Sequence, residues 1–253
     1  MTIRILAVIG FGTGSLLLAA ETPKQDEPKQ KVQMSKTERF DFPSGGTLRF
    51  RNSVGVLTVE AWDRSDVEMA TIKSTRVELD ARGREKATHE LDRVKVAAER
   101  KGDELVITTD FPRHRPFRVP YPLSGNTGFD LEYRIKAPAT AKIIVDHSLG
   151  DVNVDGLAGD IQVTLAQGEI LLHLPEEEKY SIHAKSDVGS VNSDFSGLEK
   201  RTRWFLGHRS MDENAAAPHK LNLRVGFGDI VILKTRIPKA PESLNPAAKA
   251  AGL

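Results

Sequence analysis

Residues 150–170 read GDVNVDGLAGDIQVTLAQGEI and contain one short unit three times. Each unit is a glycine, an acidic residue and a β-branched residue that enters an alternating strand, and similar units begin at Gly189 and Gly228. The intervals between the five units are 9, 9, 21 and 39 residues. Such recurrence predicts a β-solenoid with rungs of about twice nine residues, in which glycine makes the turn and the β-branched side chains of neighbouring rungs stack.

Outward from this segment, apolar and polar residues alternate along most of the chain. Period-two alternation predicts strands, and the segments around Gly102 predict a β-hairpin. Residues Arg82 to Leu91 are the single helical candidate. The expected fold class is therefore all-β: a β-solenoid or β-helix-like stack of short strands with an N-terminal β-sheet portion. Because Gly-Asp is also a common turn pair, an antiparallel β-sandwich is the alternative.

The two ends of the chain differ in composition from its middle. Arg4 and the apolar stretch to Ala20 predict a cleaved secretory signal over residues 1–20. Residues 21–36 are rich in Lys, Gln, Glu and Pro, and residues 238–253 are rich in Pro and Ala. These compositions predict a disordered tether and a disordered tail. We expect one β domain over residues 37–237 and no transmembrane span after signal cleavage.

Charge and cysteine content narrow the class of protein. The chain carries 36 Lys and Arg against 35 Asp and Glu, a balance that does not indicate a nucleic-acid or membrane-surface binder. It has no cysteine, which excludes disulfides, thiolate metal sites and thiol catalysis. Together with the predicted export signal, this composition indicates the periplasm or the cell surface of a bacterium.

Three segments in a fixed order resemble a known family. They are residues 46–63, which end in Trp62-Asp63, residues 131–154, and residues 221–230, which end in Gly228-Asp-Ile. In this order they are similar to the bacterial "putative adhesin" domain family, which is related to the autotransporter adhesin head called the GIN domain. The resemblance spans roughly residues 36–236. It implies a stack of short β-strands, an envelope or surface location and no established catalysis.

Two Arg-rich segments are the candidate binding sites. The first spans residues 111–122, where prolines favour an extended backbone and cations are interleaved with aromatic residues. This combination suits an anionic glycan or polymer. The second, near residues 201–209, has a similar composition. The candidate ligand-binding residues are Arg113, Arg115, Arg118, Tyr121, Arg201, Arg203 and Trp204.

Other ionisable residues are better explained without a metal or a cofactor. Asp146, Asp151, Asp155 and Asp160 could line one edge and bind calcium, but turn formation explains their spacing. No calcium-loop motif accompanies them. We expect no metal site and no cofactor from these carboxylates.

The histidines do not indicate a catalytic or zinc site either. His173 and His183 are predicted to point outward, and adjacent rungs could bring them near each other, but no third ligand recurs in register. His147 adjoins Asp146, yet no nucleophile elbow supports a catalytic triad. We therefore expect no catalytic residues and no enzyme.

These observations predict a noncatalytic, exported envelope module of adhesin-like binding or structural character. Its partner is an unknown envelope or surface component, with an anionic glycan as the candidate, and open sheet edges make self-association an expectation. A polysaccharide-active β-helix enzyme is one alternative, and it would require paired carboxylates on one face. A sensor or scaffold partner of an envelope-stress system is another.

Overall fold

The computed structural model describes residues 29–111, 129–195 and 216–236, together with the backbone of residues 198–201 and 208–212. The elements are β1 (Gln33–Asp41), β2 (Thr47–Val54), β3 (Val56–Trp62), β4 (Asp66–Thr75), α1 (Ala81–Arg93), β5 (Lys95–Lys101), β6 (Glu104–Asp110), β7 (Phe129–Pro138), β8 (Lys142–Leu149), β9 (Val152–Asp155), β10 (Ile161–Gln167), β11 (Ile170–Pro175), β12 (Tyr180–Val188), β13 (Val191–Ser193), β14 (Leu198–Arg201), β15 (His208–Asp212), β16 (His219–Phe227) and β17 (Ile230–Thr235).

The strands form two mixed sheets. Sheet I has the order β14-β15-β12-β16-β10-β8-β2-β6-β5, and sheet II has the order β1-β4-β7-β3-β9-β11-β17-β13. The predicted β-rich class is confirmed, with one short helix added. Among the described residues, no helix is long and apolar enough to cross a bilayer.

From β6 to β13 successive strands alternate between the sheets, and we define a rung as one strand of sheet I with the sheet II strand that follows it in the chain. From one end to the other the rungs are β6/β7, β2/β3, β8/β9, β10/β11, β16/β17 and β12/β13. All neighbouring rungs pair in parallel. Antiparallel pairing, which the sandwich alternative would use throughout, occurs only at the ends of the sheets.

Rung order in space differs from order in the chain at both ends. The rung β16/β17 inserts between β10/β11 and β12/β13, and β2/β3 inserts between β6/β7 and β8/β9. The 39-residue interval between Gly189 and Gly228 has another cause, because these two units occupy adjacent rungs and the hairpin β14–β15 lies between them in the chain.

The core lies between the sheets. Alternate residues of each strand point inward and form one continuous cluster of buried aliphatic and aromatic side chains. In-register inward positions stack across rungs, as Ile143, Ile161 and Leu221 do in sheet I. Burial of these columns supplies the main stabilisation, about 25 cal/mol per Å² of apolar surface removed from water.

One edge of the stack is a column of glycines. From rung to rung they are Gly55, Gly150, Gly168, Gly228 and Gly189, each between a sheet I strand and a sheet II strand and each with a positive φ. In each of the last four, an added Cβ would overlap the carbonyl oxygen of the glycine that precedes it in this order. The recurrent glycine therefore permits the turn and also the close stacking of main chains.

Gly159 does not belong to this column. It precedes β10, at the opposite edge of the stack, and its φ is not positive. The nine-residue interval is therefore half a rung, because it separates a turn at one edge from a turn at the other. A Cβ at Gly159 would still overlap a carbonyl oxygen, that of Ala141.

The predicted helix and hairpin are both confirmed. Helix α1 is capped at its start by Asp80, whose carboxylate accepts a hydrogen bond of 2.7 Å from the Gly83 N–H. Strands β5 and β6 form the antiparallel hairpin around Gly102. The predicted tether needs correction at its end, because residues 33–36 belong to β1, where pairing with β4 orders them.

Candidate functional site

The outer surface of sheet I carries a polar face on three adjacent parallel strands. We define the polar face as six side chains that line a shallow depression of about 430 Å³. They form two rows in register across β10, β16 and β12. The members of the polar face are Gln162, Asn222 and His183 in one row, and Thr164, Arg224 and Lys185 in the other.

The second row is basic and is oriented by one carboxylate. Asp187 lies 2.5 Å from the Lys185 ammonium and 3.2 Å from the Arg224 guanidinium. The hydrogen bond from Lys185, followed by that from Arg224, holds the pKa of Asp187 below its usual range although partial burial opposes this. The carboxylate offsets one of the two positive charges, and Arg224 remains 63% exposed.

The basic row continues onto the terminal hairpin of sheet I. In backbone register, Arg209 of β15 lies opposite Lys185, and Lys200 of β14 lies opposite Arg209. Four successive strands therefore carry cationic residues at matching register positions. Rigid strands fix such a row more precisely than a loop would.

Of the three site residues predicted in the second Arg-rich segment, the described part of the chain includes one, Arg201. Arg201 is the last residue of β14, opposite His208, and the hairpin connection begins there. Arg203 and Trp204 lie outside the described residues. The connection leaves sheet I at the glycine edge, beside the polar face.

The first Arg-rich segment is attached elsewhere. Arg113, Arg115, Arg118 and Tyr121 lie outside the described residues, in the connection between β6 and β7. Strand β6 is separated from β15 by six strand spacings, or about 29 Å at about 4.8 Å each. The chain thus leaves sheet I towards both segments at the same edge, near opposite ends of the stack.

The four aspartates considered for calcium do not share an edge. Asp151 lies at the glycine edge and Asp160 at the opposite edge, whereas Asp146 is exposed on the outer surface of sheet I and Asp155 ends β9 in sheet II. The turn interpretation accounts for the first two. Asp151 accepts a hydrogen bond of 3.2 Å from the Glu169 N–H, and Asp160 accepts one of 2.9 Å from the Lys220 N–H.

Adjacent rungs do not bring His173 and His183 together, because the two residues belong to different sheets. His173 lies in β11 of sheet II, and His183 lies in β12 of sheet I. The unit interval of nine residues is half a rung, so strands that are close in sequence belong to opposite sheets. Within the described ranges, no group of three His, Asp or Glu side chains could hold a metal ion.

A buried serine–histidine pair is the feature that the sequence did not reveal. The Ser53 hydroxyl lies 2.7 Å from His147 Nδ1, and His147 Nε2 lies 2.9 Å from the Gly55 carbonyl oxygen. Since that carbonyl can only accept, Nε2 carries the proton and Ser53 donates to Nδ1. Burial lowers the pKa of His147, which favours the neutral ring.

This pair differs from a catalytic dyad in its access to solvent. Ser53 is 1% exposed and His147 is 3% exposed, so a substrate cannot reach the hydroxyl. Asp146 points to the opposite surface of sheet I and does not complete a triad. A β-bulge at Asn52 brings Ser53 into register with His147, and no sequence motif marks a pair 94 residues apart.

A second depression lies near Trp62 at the end of β3. It has a volume of about 480 Å³ and is lined by Trp62 with Glu60, Asp63 and Asp155. The Arg64 guanidinium covers the Trp62 ring at 4.8 Å, and the indole N–H donates to the Asp66 carbonyl at 2.8 Å. The ring is thus engaged by its own chain, so the polar face is the better candidate site.

Comparison with known proteins gives distant structural likeness only. No protein-family model and no curated protein matches the chain. It is similar to a "putative cell adhesion protein" from Clostridium sporogenes, with 15% identity and a TM-score of 0.45 over 80% of this chain and 100% of that one. A "putative adhesin" from Bacteroides fragilis aligns with 11% identity and a TM-score of 0.24 over 79% and 97%. A "putative lipid binding protein" from Parabacteroides distasonis aligns with 11% identity and a TM-score of 0.22 over 80% and 97%.

Proposed function

We propose that this chain is an exported, noncatalytic binding module built on a two-sheet β-solenoid, and that its polar face takes an anionic glycan or a similar anionic polymer. The proposal rests on one observation above all: the basic row of Lys185 and Arg224 continues in register to Arg209 and Lys200. Membership of the adhesin-domain family and export through the signal at residues 1–20 are parts of the same proposal.

The polar face suits an extended, hydrated ligand. Gln162, Asn222 and Thr164 supply amide and hydroxyl groups that can exchange hydrogen bonds with sugar hydroxyls, and all three are exposed. The depression is open and shallow, unlike the enclosed apolar cavities that take small hydrophobic ligands. A polymer lying across the strands would meet the amide row and the basic row together.

The basic row supplies the preference for negative charge. Arg224 can engage a carboxylate or sulfate through two N–H groups, whereas Lys185 acts as a point charge. Asp187 orients both cations before a ligand arrives, and such preorganisation reduces the entropy lost on binding. In this proposal the Arg-rich segments around Arg113 and Arg203 supply further cations for the same ligand.

The test compares binding of alginate, a uronic-acid polymer, with binding of dextran, a neutral one. The variant Lys185→Ala/Arg224→Ala should weaken alginate binding about tenfold or more, since two charge-assisted contacts are lost. The matched control Arg134→Ala/Lys136→Ala removes the same charge from exposed positions on sheet II and should change binding less than about twofold. Calorimetry or biolayer interferometry measures the affinities.

Two outcomes would overturn the proposal. Equal binding of alginate and dextran would remove the charge preference, and equal losses in both double variants would show attraction to net charge without a site. The segments are tested separately with Arg113→Ala/Arg115→Ala/Arg118→Ala, with Tyr121→Ala and with Arg201→Ala/Arg203→Ala/Trp204→Ala. Each should weaken alginate binding if its segment contributes to the surface.

A further inference from the structure

Strand β1 forms an open edge of sheet II. Within the described part of the chain, β4 is the only strand beside it, and its nine residues make it one of the longer strands of the fold. An edge strand of this length is a template for pairing with another chain unless charge or a bulge prevents it. The pairing of β1 with β4 is regular in register from Gln33 to Asp41.

The direction of the main-chain groups follows from the neighbouring hydrogen bonds. The Thr75 N–H donates to the Val32 carbonyl at 2.9 Å, so Val32 directs its main-chain groups towards β4. Because these groups alternate along an antiparallel strand, the even-numbered residues of β1 point theirs at β4. Ser35, Thr37 and Arg39 therefore direct N–H and C=O groups to the open edge.

The side chains of β1 are complementary to a second, antiparallel copy of the same strand. A two-fold axis through Thr37 places Lys36 opposite Glu38 of the other copy, and Glu38 opposite its Lys36. The same axis places Met34 opposite Phe40 on the core side, where both side chains are only partly buried. Opposite charges and apolar pairs at facing positions each stabilise a sheet, so the pairs formed by residues 34, 36, 38 and 40 favour this register.

The other edge strand at this end of the stack lacks such complementarity. Strand β5 closes sheet I with the sequence KVAAERK, three cations and one anion. Two copies of β5 would bring net charges of the same sign together, which opposes pairing. In β1, Lys36 and Arg39 are balanced by Glu38 and Asp41.

We propose that two copies of this chain associate through their β1 strands, in antiparallel register about Thr37, so that sheet II continues from one protomer into the other. The arrangement is a closed two-fold dimer, since each protomer offers the same strand. It covers the exposed parts of Met34 and Phe40. The polar face lies towards the far end of each stack and stays open, so the dimer would present two copies of it to one polymer.

Cross-linking tests the register, because the chain has no cysteine of its own. In the proposed dimer Thr37 faces Thr37 across a hydrogen-bonded pair, with Cα atoms about 5.5 Å apart, which suits a disulfide. Thr37→Cys should therefore form a covalent dimer under mild oxidation, seen on a non-reducing gel. The matched control Ser35→Cys places the two sulfur-bearing residues about 15 Å apart and should stay monomeric. Equal cross-linking of both variants, or of neither, would overturn the proposal.

A charge exchange tests the pairing without cysteine. Lys36→Glu replaces both opposite-charge pairs of the dimer by pairs of facing glutamates and should raise the dimer dissociation constant about tenfold. The double variant Lys36→Glu/Glu38→Lys restores both opposite-charge pairs and should return the constant to within about threefold of the original. Analytical ultracentrifugation of the full chain from about 1 μM to about 200 μM, a range suited to a small interface, measures both. A monomeric parent chain over this range, or a double variant no better than the single, would contradict the proposal.

Discussion

The middle of the stack and its N-terminal end use different means to hold neighbouring strands in register. In the middle, the rungs β10/β11 and β16/β17 repeat one pattern: a glycine turn, then inward aliphatic residues that stack on their counterparts. At the N-terminal end, a bulge, a helix and antiparallel strands replace the repetition.

One inward column of sheet I shows the difference. Leu165 and Val225 are in-register neighbours in the middle rungs, whereas the same column holds His147 and Ser53 towards the N-terminal end. Nearby, the Thr109 hydroxyl lies 2.6 Å from the Tyr133 hydroxyl, and both residues are buried. The repeated part tolerates any aliphatic residue of suitable volume, while the end depends on particular polar partners.

The largest effect is expected in the glycine column. Gly168→Ala adds a Cβ that overlaps the Gly150 carbonyl oxygen at a φ of +139°, a conformation that alanine rarely adopts. We expect a loss of about 3 kcal/mol or more in the free energy of unfolding, or failure to fold, because strain and overlap add. Urea denaturation followed by circular dichroism measures it.

Gly102→Ala is the control for this change. Gly102 also has a positive φ, +64°, but a Cβ there meets no atom within 4 Å. Only the conformational cost remains, about 1 kcal/mol. Similar losses at both positions would show that stacking of the glycines contributes little.

An intermediate effect, dependent on pH, is expected at the serine–histidine pair. Burial lowers the pKa of His147 below its ordinary value of 6.5, while the hydrogen bond to the Gly55 carbonyl opposes this more weakly. Well above pH 6.5, the His147 ring is neutral in both the folded and the unfolded chain, so it does not change the free energy of unfolding. As the pH falls below 6.5, the unfolded chain takes up a proton first, so the free energy of unfolding should decrease by up to about 1.4 kcal/mol per pH unit from this group.

The double variant Ser53→Ala/His147→Leu isolates this contribution. It gives the N-terminal rungs the aliphatic character that Leu165 has in the next rung. Removing both partners leaves no buried polar atom without a hydrogen bond, so stability at pH 8 should change little. Denaturation curves between pH 8 and pH 5 should be less pH-dependent than those of the parent chain, and an unchanged pH dependence would assign it to other groups.

The smallest effect is expected at the aspartates that cap adjacent rungs. Asp229 accepts hydrogen bonds of 2.7 Å from both the N–H and the hydroxyl of Ser190, so Asp229→Ala should cost about 1 kcal/mol. Asp151→Ala removes one longer hydrogen bond and should cost less. Asp229→Asn keeps an acceptor and serves as the control. A larger loss for Asp151→Ala than for Asp229→Ala would contradict the hydrogen-bond explanation.

Much of the fold was predictable because its signals are local. The period-two alternation, the hairpin at Gly102 and the helix near Arg82 each depend on a few consecutive residues. The candidate site was predictable only in composition. The basic row joins Arg224, Lys185 and Arg209 through strand order, and β16 enters the stack between strands that precede it in the chain.

By itself, the sequence determined the β-rich class, the positions of the turns and the residues that face the core, because glycine, turn aspartates and alternation act within one strand or one turn. Tertiary structure alone decided which rungs are neighbours. It also placed His173 and His183 in opposite sheets and brought Ser53 into contact with His147. These outcomes depend on contacts between segments far apart in the chain, where the stacking of one rung on another fixes the register and no short motif carries the information.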